Sequence, residues 1–157
     1  MPSSWDADRA AGVARARAAE PGALLPILHA LQQEFGYIDP EAVGMIADLL
    51  NISRAEVFGT ISFYHDFRDA PPGRHVLKMC RAEACQAMGA DALIAGAEEW
   101  LGARLGETSA DRRVTLDAVY CLGNCALSPA VMLDGELHGR VTAARLRRLI
   151  EHAEAPA

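Results

Sequence analysis

The sequence predicts an α+β protein: a helical bundle over residues 1–70, then a βαβ–ββα domain over residues 75–157 with a four-stranded mixed sheet. Three observations carry that prediction. Apolar residues in the front half recur at helical spacing. Beyond residue 74, short apolar runs alternate with one long helical stretch. Between them, Arg68-Asp69-Ala70-Pro71-Pro72-Gly73-Arg74 has the composition of a linker, with two prolines lacking a backbone donor and a glycine suited to a turn.

Residues 1–20 are rich in Ala and Arg and only weakly periodic, so a short helix and a partly ordered arm both fit. Pro21-Gly22 interrupts. Leu24, Ile27, Leu28, Leu31 and Phe35 then line one helix face, with Pro26 tolerable in the first turn and Gly36 as terminator. Asp39-Pro40-Glu41 reads as N-cap, first-position proline and first-turn acid. That helix buries Val43, Ile46, Ala47 and Leu50, and Asn51 closes it. Ser53 and Glu56 have capping-box spacing, flanked by Ile52 and Val57 at the positions of a hydrophobic staple. Val57, Ile61 and Tyr64 continue an apolar face, and Phe58, Phe63 and Phe67 add aromatic bulk. His29 and His65 have no second candidate ligand nearby in sequence, so packing or hydrogen bonding is their expected role.

In the back half, His75 to Met79 is a strand candidate that runs into Cys80. Residues 87–104 read as one helix, with Leu93, Ala97, Trp100 and Leu101 on its core face and glycines at 102 and 106 near its end. Val114, Leu116, Ala118 and Tyr120 alternate with other residues at strand period, and this strand runs into Cys121. Pro129, a candidate cis proline, precedes a third strand over 130–133. Asp134-Gly135 is a hairpin turn, and residues 136–141 form the return strand. Thr142 caps a last helix carrying Leu146, Leu149 and Ile150, with Arg145, Arg147 and Arg148 facing solvent. A parallel βαβ unit followed by an antiparallel hairpin and a helix is the minimal arrangement of a thioredoxin-like fold.

Composition narrows the function. Hydrophobic residues make up 51% and charged residues 23%, which is globular rather than disordered. A net charge of −6 argues against nucleic-acid binding. No apolar signal region opens the chain, and the longest uncharged run, Ala118 to Leu133, contains Cys, Gly, Asn, Ser and Pro rather than a membrane span. A cytoplasmic protein without direct membrane contact is expected. In a reducing compartment, cysteines serve as ligands or redox groups more often than as structural disulfides.

The chain has four cysteines, in two pairs: Cys80 and Cys85, then Cys121 and Cys125 after 35 intervening residues. Each pair follows a predicted strand. A right-handed crossover makes those strands parallel, so their C-terminal ends emerge together and the pairs converge. A 2Fe–2S rhomb offers two open thiolate positions on each iron, so Cys80 with Cys85 and Cys121 with Cys125 is a natural division. Gly123 either brings backbone close to a sulfide or makes a tight turn. Arg81 and Glu83 carry opposing charges and receive no role. Structural zinc also takes four thiolates, usually in tighter C-x2-C knuckles, and would make this a zinc-stabilised interaction module. A dithiol oxidoreductase needs C-x-x-C, which is missing here. Purely structural cysteines complete the alternatives.

These residues resemble a known family over about residues 22 to 150. It comprises the thioredoxin-like 2Fe–2S subunits of NADH-linked modules: the 24-kilodalton-type subunit of respiratory complex I, the small diaphorase subunit of NAD-reducing hydrogenases, and the gamma subunit of soluble NAD-dependent formate dehydrogenases. The resemblance rests on the front helices, on Val57-Phe58-Gly59-Thr60-Ile61-Ser62-Phe63-Tyr64, and on both cysteine pairs with Leu122-Gly123-Asn124 inside the second. Phe63 to Arg68 and Cys80 to Gln86 are most similar to the formate dehydrogenase gamma subunit. The resemblance implies one 2Fe–2S cluster ligated by Cys80, Cys85, Cys121 and Cys125, and no catalytic residue on this chain. It implies a flavoprotein partner that binds FMN and NAD. In the formate dehydrogenase case it implies a large Fe–S subunit with a molybdenum cofactor. The helical front half is then a docking module.

Overall fold

The structure is a computed structural model that describes residues 4–154. Backbone packing divides the chain into two compact units, Met1–Pro71 and Pro72–Ala157.

The first unit is built from α1 (Ala7–Arg15), α2 (Leu24–Phe35), α3 (Glu41–Leu50) and α4 (Arg54–Phe63). The Ala/Arg-rich start forms a helix because Asp6 caps it, accepting the Arg9 N–H at 2.8 Å, and because Ala10 and Ala14 bury one side. Ile27, Leu28, Leu31 and Phe35 of α2 join Ala42 and Ile46 of α3 and Val57 of α4 in one apolar core. Burial of each such large side chain contributes about 1.5–3 kcal/mol. Gly36 ends α2 and Asn51 ends α3, both in left-handed backbone. The Asp39 carboxylate accepts the Glu41 N–H at 2.9 Å, while Pro40 already has helical backbone. Both halves of the Ser53–Glu56 capping box are formed, at 3.1 Å and 2.8 Å. The apolar face expected of α4 is not buried. Val57 is the helix's one buried residue; Phe58 is 63% and Phe63 73% exposed, and the following Tyr64 is 44% exposed. Apolar content alone does not say whether a neighbour covers it. His65 is exposed, and His29 packs its ring on Phe67 with centroids 5.1 Å apart.

The second unit is a five-stranded mixed sheet with helices: β1 (His75–Cys80), α5 (Glu83–Ala87), α6 (Ala90–Leu101), β2 (Glu107–Thr108), β3 (Val114–Val119), β4 (Val131–Leu133), β5 (Glu136–His138) and α7 (Ala143–Glu154). The strand order is β2-β3-β1-β4-β5. β1 runs parallel to β3, with His75 opposite Val114 and Cys80 opposite Val119, and antiparallel to β4. Leu77, Met79, Val114, Leu116, Val131 and Leu133 from the sheet pack with Leu93, Ile94 and Ala97 of α6 and with Leu146 and Ile150 of α7.

Several expectations need correction. The sheet has five strands rather than four. The extra strand, β2, is two residues long and pairs antiparallel with Leu116 and Thr115; the Gly106 N–H donates to the Leu116 carbonyl at 2.6 Å. Two residues are too few to show a period. The helix expected over 87–104 is α6, which starts only at Ala90 and stops at Leu101; Gly89, at φ 87°, separates it from an unexpected short helix, α5, ahead of it. The return strand stops at His138 instead of continuing to Val141. Ala118 and Tyr120 do not extend β3's buried face: Ala118 is exposed, and Tyr120 lies beyond the strand at 76% exposure. Trp100, expected on the core face, is 36% exposed, with the Arg147 guanidinium 5.6 Å over its ring. Arg145 turns back to donate to the Gly139 carbonyl at 2.7 Å. Asp134 and Gly135 both take positive φ, as the hairpin turn requires, and the Ser128–Pro129 bond is cis. Among the described residues no helix is long and apolar enough to cross a membrane.

Candidate metal centre

Sheet topology places the first cysteine pair. Cys80 is the last residue of central strand β1, and its backbone is held on both sides. The Cys80 N–H donates to the Ala130 carbonyl at 3.2 Å, and the Arg81 N–H donates to the Val119 carbonyl at 2.8 Å. The chain then turns through extended Ala82 into α5, whose first turn puts Cys85 back against the sheet end. Cys80 and Cys85 are buried, at 3% and 2% exposure, in a small cluster with Ala90 and Ala130. Cys85 lies inside α5 because Glu83 to Ala87 form a helix of their own, a placement the expected single helix did not contain.

The second pair follows β3. Cys121 sits two residues past the strand end at φ 123°, where an L residue is strained. Such strain costs about 1–3 kcal/mol and persists only where the surroundings enforce it, commonly at functional sites. Gly123, at φ 74°, turns its N–H onto the Cys121 Sγ at 3.3 Å. Cys125 opens a 3-10 turn over Cys125–Leu127, and its Sγ stands 3.8 Å from that of Cys121. Both residues are exposed, and all four cysteines are free thiols.

The four groups share one electrostatic neighbourhood. The Cys125 thiol is pushed up, first by its hydrogen bond to Cys121, then by the charge of Cys121, burial, and the charges of Cys85 and Cys80. For Cys85, burial pushes up, but its hydrogen bonds with the Ser128 side chain, the Ala130 backbone and the Cys80 side chain together bring it below the ordinary thiol value. Mutual repulsion of anions is relieved by a cation among them, so the crowded thiols fit a metal group that binds thiolates. Among the described residues no three His, Cys, Asp or Glu side chains gather tightly enough for a single metal ion. What the fold presents is two thiol pairs, one buried and one exposed.

Three contributors were not singled out from the sequence. Ser128 is buried, and its Oγ lies 3.5 Å from the Cys85 Sγ. The Ala130 N–H reaches Cys85 across the loop. Gly139 backs the second loop so closely that an added Cβ would stand 2.6 Å from the Leu127 Cβ. A glycine in an expected strand interior is the one hint, since such a residue often marks close backbone approach.

Comparison with known proteins agrees with this geometry. Residues 10–154 match the thioredoxin-like [2Fe-2S] ferredoxin family. The chain is 33% identical over 129 residues to the HndA subunit of the NADP-reducing hydrogenase of Solidesulfovibrio fructosivorans, covering 82% of this chain and 75% of that one. It is 34% identical over 129 residues to an NADH-quinone oxidoreductase subunit of Pseudomonas aeruginosa, covering 82% and 78%. A crystal structure of an NAD+-reducing [NiFe]-hydrogenase in the air-oxidized state superposes with a TM-score of 0.71 at 27% identity, over 88% of this chain and 24% of that chain. The present chain thus spans about a quarter of the hydrogenase chain it resembles. It belongs to the thioredoxin-like [2Fe-2S] ferredoxin family, and one 2Fe–2S cluster is its resident group.

Proposed function

We propose that this chain is the electron-transfer subunit of a multisubunit NAD-dependent formate dehydrogenase, exchanging single electrons with the FMN of a neighbouring flavoprotein subunit. The observation that carries the electron-transfer reading is the paired-thiol site at the common end of β1 and β3, in a chain of ferredoxin family. Cys80 and Cys85 would hold one iron, and Cys121 and Cys125 the other. The cluster, when bound, accepts or gives up one electron at a time and breaks no substrate bond.

The protein's own residues do the rest. Burial of Cys80 and Cys85 keeps water from one side, while Cys121 and Cys125 reach the surface beside exposed Tyr120 and Leu127. The Gly123 and Ala130 N–H groups point at ligand sulfurs, and such donors favour the more negative state. The helices of residues 1–70 serve as the docking module, supported by the uncovered Phe58, Phe63 and Tyr64 of α4 and the residue after it.

Formate dehydrogenase rests on the likeness of Phe63 to Arg68 and Cys80 to Gln86. An equivalent subunit of respiratory complex I or of an NAD-reducing hydrogenase is the second reading, favoured by the names of the relatives above. In every case the setting is cytoplasmic. Iron and acid-labile sulfide analysis with visible absorbance tests the centre. Two irons and two sulfides per chain are expected, and Ala at any of the four cysteines abolishes that stoichiometry. A colourless protein with one zinc rejects the reading in favour of an interaction module. Co-purification with a flavoprotein and a large molybdenum subunit identifies the parent complex; a hydrogenase or a quinone-reducing assembly identifies the second reading.

A further inference from the structure

The Ser128 hydroxyl has one proton and two claimants. It donates to the Cys125 carbonyl at 2.8 Å while accepting the Cys85 S–H at 3.5 Å. The residue is 8% exposed, so water does not readily take either place. A hydroxyl supplies one donor and two acceptor lone pairs, and its hydrogen rotates to suit. A ligating sulfur carries no proton. With Cys85 as a ligand, the present arrangement would aim an oxygen lone pair at an anionic sulfur. Rotation about the Cβ–Oγ bond removes that conflict by turning the O–H onto the sulfur. The Cys125 carbonyl is not left bare, because the Ser128 backbone N–H donates to it at 3.3 Å.

We infer that Ser128 is a tuning residue whose hydroxyl donates to the Cys85 sulfur in the loaded protein and holds the cluster's reduction potential up. The inference rests on the ligand reading above. One electron is added on reduction and none of the chain's bonds breaks; the proton stays on Oγ. The added negative charge is shared by the ligand sulfurs, so the O–H···S contact strengthens in the reduced state and favours it. The contact also joins the two halves of the site, since Ser128 is hydrogen-bonded to Cys85 of the first pair and to Cys125 of the second.

The test uses the full chain in its loaded form, titrated with dithionite against redox mediators. Ser128→Ala is expected to lower the reduced-to-oxidised ratio at fixed potential about tenfold, a downward midpoint shift of about 59 mV for a one-electron couple. Iron and sulfide content and the visible circular dichroism stay at wild-type values. Ser128→Thr, which keeps the hydroxyl, restores the midpoint. Ser128→Gly, which also lacks it, repeats the Ala shift. An unchanged midpoint in loaded Ser128→Ala, or no rescue by Thr, overturns the inference. Loss of the cluster from both Ala and Gly variants makes Ser128 a structural residue and overturns it too. A wild-type chain that takes up no 2Fe–2S cluster instead defeats the ligand reading, which the iron and sulfide analysis registers before any titration.

Discussion

Adding one methyl group at Gly139 should loosen the loop that carries Cys125. A Cβ there would lie 2.6 Å from the Leu127 Cβ, 2.8 Å from the Asn124 Nδ2 and 2.9 Å from the Leu127 carbonyl oxygen. Carbon atoms prefer about 3.5–4.0 Å, so the loop must retreat by roughly 1 Å. It is not free to do so. The Arg140 N–H donates to that same Leu127 carbonyl at 2.6 Å, and the Gly139 carbonyl accepts from Arg145 at 2.7 Å. Two of the three nearest atoms belong to backbone or to a Cβ, which no rotamer change can move. Overpacking of this kind costs about 1–3 kcal/mol, or roughly 5- to 150-fold in the folding equilibrium. Guanidinium unfolding of Gly139→Ala measures the stability loss, and the rate of iron transfer to a chelator measures the loosened loop. Gly96→Ala is the control: nothing lies within 4 Å of its added Cβ, and it sits inside α6. There the same change should stabilise by about 0.5–1 kcal/mol. If Gly139→Ala matches wild type in both unfolding midpoint and iron release, the close-approach argument is wrong.

Two further outcomes follow from the surface. Replacing both Phe58 and Phe63 by Ala should weaken binding to the proposed flavoprotein partner by about 2 kcal/mol or more while leaving the visible spectrum alone; unchanged affinity by calorimetry would refute docking through α4. Asp111 is held down to about 2 from an ordinary 3.8 by the Ser109 hydroxyl and then by the backbone N–H and guanidinium of Arg113. A depressed carboxyl contributes stability that is full above its unfolded value and lost as pH falls through the folded one. The stability difference between wild type and Asp111→Asn should therefore shrink between about pH 4 and pH 2. Urea unfolding across that range checks it, and parallel pH profiles would count against it.

Local chemistry was the most legible part of the fold. Ser53 and Glu56 lie three residues apart, and their mutual bonds need nothing from elsewhere in the chain. Asp134-Gly135 demands two positive φ angles and has them. The placement of Cys80 and Cys121 at the ends of parallel strands was legible because strand period and crossover handedness are both general. What escaped lacked either length or a local cause. β2 is too short for a period, and so is the five-residue helix α5 ahead of Gly89. The exposure of Phe58 and Phe63 depends on what covers them, which spacing along one helix does not encode. Ser128 and Gly139 matter through contacts with Cys85 and Leu127, residues joined to them only by the fold.

The central position of β1 has a mechanical consequence. Cys80 ends the middle strand of the sheet, which has a neighbour on each side, so its amide should be among the last in its unit to exchange with deuterium. Cys121 and Cys125 ride on an exposed loop beyond the sheet. One half of the site is therefore an anchor and the other a clasp. Small changes in cluster size between oxidation states would be taken up by the clasp, while the anchor keeps a fixed position relative to the sheet.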